Sequence, residues 1–126
     1  MGTIELVGAG GIRIVGDDRG DPDAVPVVLL HGGGQTRHSW QGTAEELASR
    51  GWRALTLDAR GHGESDWAPE GEYMLTSFAT DVQTAIEEVT GERPFLVGAS
   101  LGGSTALLLA GEMTPGIARG VVLVDV

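Results

Sequence analysis

The residues with the clearest chemical potential are Gly98, Ser100 and Gly102, which together form a Gly-x-Ser-x-Gly motif. A short apolar run, residues 94–97, precedes the motif, and a segment rich in leucine and alanine follows it. A serine on a sharp turn between a strand and a helix carries its hydroxyl clear of the sheet, where it can attack a carbonyl carbon. We therefore predict that Ser100 is a nucleophile. The alternative is an ordinary serine in a glycine-rich turn, because a chain with 21 glycines also produces such matches by chance.

A second glycine-rich segment, His31-Gly32-Gly33-Gly34, follows an apolar run that begins at Pro26. Ligands of open α/β sheets bind at the carboxyl ends of the strands, and glycine lets a backbone N–H approach a ligand oxygen closely. We expect the N–H groups of Gly33 and Leu101 to form an oxyanion hole, while His31, Gly32 and Gly34 line the pocket. A phosphate-binding loop is not supported, because the sequence has no lysine and no Walker motif.

A third polar segment, residues 58–65, follows the next apolar run and contains Asp58, Arg60 and His62. We expect Asp58 and Arg60 to be buried and to pair with each other or with backbone groups. His62 lies between two glycines and is expected to shape this turn. His38 has two interpretations, a wall of the pocket or a residue that packs in a surface loop.

Hydrophobic patterning predicts that these motifs lie on an α/β fold. Short apolar or alternating runs predict strands at residues 3–7, 11–15, 26–31, 53–58, 94–97 and 120–126. Longer periodic runs predict helices at residues 43–48, opened by a capping box at Thr43, at 76–89, capped by Thr76, and at 101 to about 113. A polar turn is predicted at residues 16–23, and the last helix, apolar on nearly all sides, should be covered by other structure. The order predicts an N-terminal β-hairpin followed by a mostly parallel sheet flanked by helices.

Composition limits the partners that this chain can have. Its 126 residues carry a formal net charge of −10 and no cysteine, which excludes disulfides, thiolate catalysis and cysteine metal sites. An acidic surface disfavours nucleic acid and anionic membranes. Because the N-terminus lacks a signal-like segment and no stretch reaches transmembrane length, we expect a cytoplasmic location.

The three motifs at residues 31–34, 58–65 and 98–102, in this order, resemble those of the α/β-hydrolase superfamily. The resemblance covers essentially the whole chain and implies the N-terminal half of that fold, one unit of residues 1–126 that stops before the lid and the last strands. It implies Ser100 as nucleophile, the amides of Gly33 and Leu101 as oxyanion donors, no cofactor and no metal. With a serine nucleophile, the chain is similar to the esterase, thioesterase, C–C-bond hydrolase and perhydrolase branches. It is unlike the branches that attack with aspartate.

The resemblance also implies that part of the catalytic site is missing. A serine nucleophile needs a neighbouring base and an acid that orients the base. In the family both usually lie later than position 126, and none of His31, His38 and His62 matches the catalytic histidine. Asp125 lies where a minority of the family has its acid, so it is interpreted either as that acid or as a carboxylate at the edge of the pocket.

Two functions remain open at this point. The first is a serine hydrolase that acts on a small ester or a related acyl or carbonyl compound, with the 126-residue chain alone nearly inactive. The second is a non-catalytic chain that binds a small ligand or pairs with another polypeptide through the open edge of residues 121–126.

Overall fold

The computed structural model describes residues 2–124, and within them six strands form one mixed sheet. The strands are β1 (Gly2–Val7), β2 (Arg13–Arg19), β3 (Pro26–Leu30), β4 (Arg53–Leu57), β5 (Phe95–Ala99) and β6 (Gly120–Val124). Their order across the sheet is β1-β2-β4-β3-β5-β6. The pairs β1/β2 and β2/β4 are antiparallel, whereas β3, β4, β5 and β6 are parallel to one another. The predicted α/β class, with its hairpin and mostly parallel sheet, is confirmed.

Three α-helices connect the parallel strands. They are α1 (Gln41–Ser49), α2 (Leu75–Ala85) and α3 (Leu101–Leu108). One turn of 3₁₀ helix, Arg37–Trp40, leads into α1, and π-helical turns, Ile86–Thr90 and Leu109–Met113, extend α2 and α3. Across residues 2–124, no helix has both the length and the apolar character needed to cross a membrane.

The core lies on both faces of the sheet, and β3 shows why. Val28 and Leu30 belong to the larger apolar cluster, which also contains residues of α2 and α3. Val27 and Leu29 point to the opposite face and pack with Ala44 of α1. All five residues of β3 are buried, as expected for a central parallel strand covered by helices on both sides.

The polar turn predicted at residues 16–23 is wrong in its first half, because β2 extends into it. Asp17 lies in β2, which pairs with β1 on one side and β4 on the other. Its carboxylate accepts a hydrogen bond from Arg37 at 2.9 Å. Asp18 pairs with Arg53 of β4 at 2.8 Å. These ion pairs come from distant parts of the chain and compensate the burial of the carboxylates, so local polarity did not reveal the strand.

The capping positions predicted for the first two helices are also wrong. α1 begins at Gln41, so Thr43 lies inside it, and a 3₁₀ turn capped by Thr36 leads directly into the helix. α2 begins one residue before Thr76. The π-helical turn that extends α2 ends at Gly91, which takes the left-handed conformation with a φ of 62°.

The last two predicted elements differ from the structure in extent. The α-helical part of the segment after Ser100 ends at Leu108. Ala106 and Leu109 are fully buried, whereas Leu107 is 51% exposed, so the described residues cover only part of this helix. The final strand is described as far as Val124.

Candidate active site

Ser100 occupies the turn between β5 and α3, at the carboxyl end of a central parallel strand. Its backbone has a φ of 52° and a ψ of −112°, and it is the one residue other than glycine with a positive φ among residues 2–124. A side chain raises the energy of this conformation because its Cβ crowds the neighbouring carbonyl. Ser100 is exposed, so the turn presents this serine at the edge of the sheet.

Gly98 and Gly102 allow β5 and α3 to approach each other at this turn. A Cβ built on Gly98 would overlap the backbone of Gly102, and a Cβ built on Gly102 would overlap the backbone of Leu30 in β3. Backbone atoms in a sheet and a helix cannot move aside as the end of a side chain can. The spacing of the motif therefore has a packing cause in addition to any chemical one.

The loop after β3 brings its glycines against the same turn. A Cβ built on Gly32 would lie 3.5 Å from the Cβ of Ser100, and one built on Gly33 would lie 4.0 Å from the Cβ of Leu101. Gly32 donates its N–H to Gln35 Oε1 at 3.0 Å, and Gln35 donates its own N–H to the Gly32 carbonyl at 3.1 Å. These two hydrogen bonds close the loop and hold Gly32 and Gly33 beside Ser100 and Leu101.

Backbone N–H groups at this edge of the sheet differ in whether they already donate to an acceptor within the protein. Leu101 is the first residue of α3, where N–H groups lack intrahelical acceptors and the helix dipole is positive. Gly34 has a φ of 79° and donates its N–H to His62 Nε2 at 3.0 Å. The edge can therefore offer backbone donors to a negatively charged oxygen next to Ser100.

The three histidines of the chain all lie within the described residues, and each is hydrogen-bonded. In His31, which is 2% exposed, Nδ1 lies 2.8 Å from the Gly32 carbonyl oxygen and Nε2 accepts the N–H of Ala59 at 3.0 Å. Burial lowers the pKa of the His31 imidazole below its ordinary value of 6.5. His38 is exposed, with Nδ1 3.2 Å from Gln41 Oε1.

Arg37 is the residue at this site that the sequence interpretation missed. Its side chain is 4% exposed, and the guanidinium donates to the carboxylates of Asp17 at 2.9 Å, Asp58 at 2.5 Å and Glu64 at 2.7 Å. Its backbone N–H also donates to Asp58 at 2.7 Å. No local signal could have indicated this role, because its three partners lie 20, 21 and 27 positions away.

The ion pairs of Arg37 shift the titration of their members. Burial raises the pKa of the Asp17 carboxyl, but the hydrogen bond and the charge of Arg37 outweigh that effect, so the pKa lies below its ordinary value of 3.8. Burial also lowers the pKa of the Arg37 guanidinium, but the hydrogen bonds that it donates to Glu64, Asp17 and Asp58 outweigh burial, so the pKa is raised. Both groups are therefore charged throughout the physiological range.

Asp58 and Arg60 are buried as predicted. Of the two kinds of partner expected, each other or backbone groups, they take backbone groups: the Asp58 carboxylate accepts the N–H groups of Arg37 and Glu64. Asp58 takes Arg37, whereas Arg60 takes Asp81 of α2, with Nε and Nη2 at 2.8 Å and 2.9 Å from its two oxygens. Arg60 also donates to the carbonyls of Glu72 and Ala9 at 2.9 Å each, which agrees with the expected backbone contacts. Each charge is satisfied by a partner from another element, which connects the loops below the site to α2 and the hairpin.

A small pocket lies beneath the edge of the sheet. Its volume is about 30 Å³, room for about one water molecule. Its lining is mostly apolar and includes His31, Leu101, Gly102 and Thr105. Of the residues predicted to line a pocket, His31 does so here, whereas His38, Gly32 and Gly34 lie outside this one.

Two other sequence predictions concern an acid and a metal. Asp125, predicted as an acid or a pocket-edge carboxylate, lies outside the described residues. Within residues 2–124, no group of three or more histidine, aspartate and glutamate side chains is arranged to hold a metal ion.

Comparison with known proteins shows which folds and sequences this chain is similar to. A family model described as the alpha/beta hydrolase fold matches residues 25–126. The chain is 37% identical over 123 residues to esterase Rv0045c of Mycobacterium tuberculosis, covering 98% of this chain and 39% of the esterase. It is 35% identical over 108 residues to the sn-1-specific diacylglycerol lipase ABHD11 of Mus musculus, covering 85% of this chain and 34% of the lipase.

Among solved structures, the chain is similar in fold to epoxide hydrolase VrEH1 of Vigna radiata. The TM-score is 0.90 at 24% sequence identity, and the match covers 98% of this chain and 39% of the epoxide hydrolase. At this identity the likeness is one of fold. The chain thus spans less than two fifths of the length of each of these three proteins.

Proposed function

This chain belongs to the α/β-hydrolase fold family, and we propose that its Ser100 is the nucleophile of a serine hydrolase that cleaves an ester or a related acyl compound. The observation that carries the proposal is the backbone of Ser100, whose φ of 52° is unfavourable for any residue with a side chain. Such strain persists where the surrounding structure enforces it, and it is common at functional positions. One relative is named an esterase and another a lipase acting on diacylglycerol, which supports an acyl ester as the substrate class.

In the proposed reaction, Ser100 Oγ forms a bond to the carbonyl carbon of the substrate while its proton passes to a histidine. The N–H groups of Gly33 and Leu101 donate to the oxygen that becomes negatively charged. Collapse of the intermediate breaks the bond to the leaving oxygen, which takes the proton, and water then releases the acyl group from Ser100 by the same steps.

We place the histidine base outside these 126 residues. His31 and His62 each use both ring nitrogens in hydrogen bonds to backbone groups, and His38 contacts Gln41 on the surface. To take the serine proton, His31 or His62 would have to give up a hydrogen bond that holds residues 31–34, the glycine loop. The same observation favours a second candidate function for the isolated chain, a non-catalytic unit that only binds a small ligand.

The first test is a comparison of ester hydrolysis by two polypeptides, the 126-residue chain and the full-length gene product, with p-nitrophenyl acetate as substrate. We expect the chain to show only the weak residual catalysis that binding and an oxyanion hole supply. In the full-length gene product, Ser100→Ala should remove turnover. Turnover of the isolated chain near an ordinary enzyme rate of about 10 per second, lost in Ser100→Ala, would contradict the placement of the base.

Gly33→Ala tests the oxyanion donors without disturbing the fold. A Cβ at Gly33 would meet only the Cβ of Leu101, at 4.0 Å, so the free energy of unfolding should change by less than about 0.5 kcal/mol. The added methyl group would narrow the space between the two amides, and we expect kcat to fall roughly 10- to 100-fold, the scale of a small misplacement at the reacting centre.

Gly42→Ala is the matched control for this variant. Gly42 lies in α1 with no atom within 4 Å of a built Cβ, so the same substitution should leave kcat unchanged. An unchanged kcat in Gly33→Ala as well would remove Gly33 from the oxyanion hole.

A further inference from the structure

His62 connects the glycine loop after β3, residues 31–34, to the loop after β4. Its Nε2 accepts the N–H of Gly34 at 3.0 Å, and its Nδ1 lies 3.0 Å from the carbonyl oxygen of Arg60. A backbone N–H can only donate and a carbonyl can only accept, so the ring carries its single proton on Nδ1. The geometry therefore requires a neutral imidazole in one tautomer.

His31 makes the reciprocal connection in the opposite direction. It lies at the start of the glycine loop, and its Nε2 accepts the N–H of Ala59 at 3.0 Å, while Nδ1 faces the carbonyl of Gly32 at 2.8 Å. The two rings pack with their centroids 5.1 Å apart. Two neutral histidines thus join the glycine loop to the loop after β4 at two points.

We propose that His62 is a positioning residue: as a neutral ring it holds Gly34, and through it Gly33, beside Leu101, and protonation of Nε2 releases the glycine loop. This inference rests on the proposed function only for its effect on turnover. The loop connection itself is independent of any reaction. Low pH would then reduce turnover by releasing the loop, separately from any titration of a catalytic base.

A proton on His62 Nε2 would turn this acceptor into a donor that faces the Gly34 N–H, which is itself a donor. His31 is the titratable group that packs against the His62 ring, and the loop that carries His62 also contains Asp58, Arg60 and Glu64. Arg37 neutralises Asp58 and Glu64, and Asp81 neutralises Arg60. Protonated His31 and His62 would repel each other at their short separation.

The sign of the pH effect follows from His31. Burial lowers the pKa of its imidazole below 6.5, and the proximity of His62 lowers it further, against the opposing effects of Gly32 and Asp58. The unfolded chain therefore binds a proton before the folded one as the pH falls. The stability that depends on the neutral His31 ring is fully present above about pH 6.5 and decreases as the pH falls below that value.

The test measures hydrogen exchange of single backbone amides in the 126-residue chain by NMR between pH 5 and pH 8. Protection factors, which correct for the intrinsic pH dependence of exchange, report opening of the loop. In the wild type we expect the protection of the Gly34 amide to fall at least tenfold between pH 7 and pH 5. The amide of Trp52, which donates to the Leu47 carbonyl in a turn without histidine, is the internal control and should change less than about threefold.

Two variants separate the acceptor from the ring. His62→Phe keeps an aromatic ring without an acceptor, and we expect weak protection of Gly34 at every pH. His62→Gln places an amide oxygen that can accept the Gly34 N–H and does not titrate, so protection should persist at pH 5. In the full-length gene product, kcat should fall at least tenfold further in His62→Phe than in His62→Gln, with a smaller effect on KM.

Several outcomes would overturn the proposal. They are a wild-type Nε2 that carries the proton at pH 8 in ¹⁵N spectra, unchanged Gly34 protection between pH 7 and pH 5, or His62→Gln behaving as wild type does at pH 5. If His62→Phe does not fold, the wild-type titration and the glutamine variant still decide. Activity that survives Ser100→Ala would refute the proposed function and leave the Gly34 result standing, so the two failures are distinguishable.

Discussion

At the scale of the residue, the strained backbone of Ser100 should lower the free energy of unfolding by a measurable amount. Within a helix or strand, a protein with glycine is less stable than one with alanine by about 0.5–1 kcal/mol. A sparsely populated conformation costs a residue with a side chain about 1–3 kcal/mol, which glycine avoids. We therefore expect Ser100→Gly to have a free energy of unfolding at least equal to that of Ser100→Ala, measured by urea titration.

Ser104 provides the matched control for this comparison. It is also a serine, it is exposed, and it lies within α3. There Ser104→Gly should be less stable than Ser104→Ala by about 1 kcal/mol. The same order at both positions would mean that the turn at Ser100 is not strained.

The buried arginines show the limit of sequence interpretation at this scale. The serine motif predicts Ser100 from five adjacent residues, because the turn needs all of them close together. Arg37 has no such local pattern, since its role depends on three carboxylates brought to it by the fold. For the same reason the buried state of Asp58 and Arg60 was predictable, and their separate partners were not.

At the scale of the element, close approach of β5, α3 and β3 determines which glycines cannot be replaced. A Cβ on Gly102 would overlap the backbone of Leu30, which is itself buried between both layers of helices. We expect Gly102→Ala to lower the free energy of unfolding by about 1–3 kcal/mol or more, the cost of overpacking. Urea titration of the 126-residue chain measures this directly.

Gly42→Ala again serves as the control, and here the free energy of unfolding should change in the opposite direction. Gly42 is helical, and a Cβ there would meet open space. Alanine should raise the free energy of unfolding by about 0.5–1 kcal/mol, because it loses less backbone entropy in a helix. A loss of stability at Gly42 similar to that at Gly102 would show that sterics at β3 are not the cause.

Strands buried in the sheet were predictable from sequence, and the ends of the helices were not. Continuous apolar runs indicated β3, β4 and β5 because a parallel strand is covered on both faces. Thr43 and Thr76 have the residue types of caps, yet helix α1 follows a 3₁₀ turn and α2 follows Met74. Where a helix begins depends on the preceding segment, which local cap preferences do not describe.

At the scale of the whole molecule, three of the eight arginines lie in the interior. Arg37, Arg53 and Arg60 have side chains no more than 11% exposed, each paired with a carboxylate. With 18 acidic and 8 basic residues in the chain, the exposed surface remains strongly acidic. The expectation that nucleic acid and anionic membranes are not partners stays a prediction that rests on this charge.

Strand β6 lies at one end of the strand order and pairs only with β5 among residues 2–124. Val122 is 51% exposed and Leu123 38%. An apolar strand with an unpaired edge pairs readily with another chain, so we propose that the 126-residue chain self-associates through β6. In sedimentation velocity, Val122→Lys should shift the chain to monomer, because a lysine on an edge strand opposes pairing. Leu107→Lys, at the same 51% exposure but on α3, should leave association intact; monomer in both variants would indicate general apolar contact instead of strand pairing.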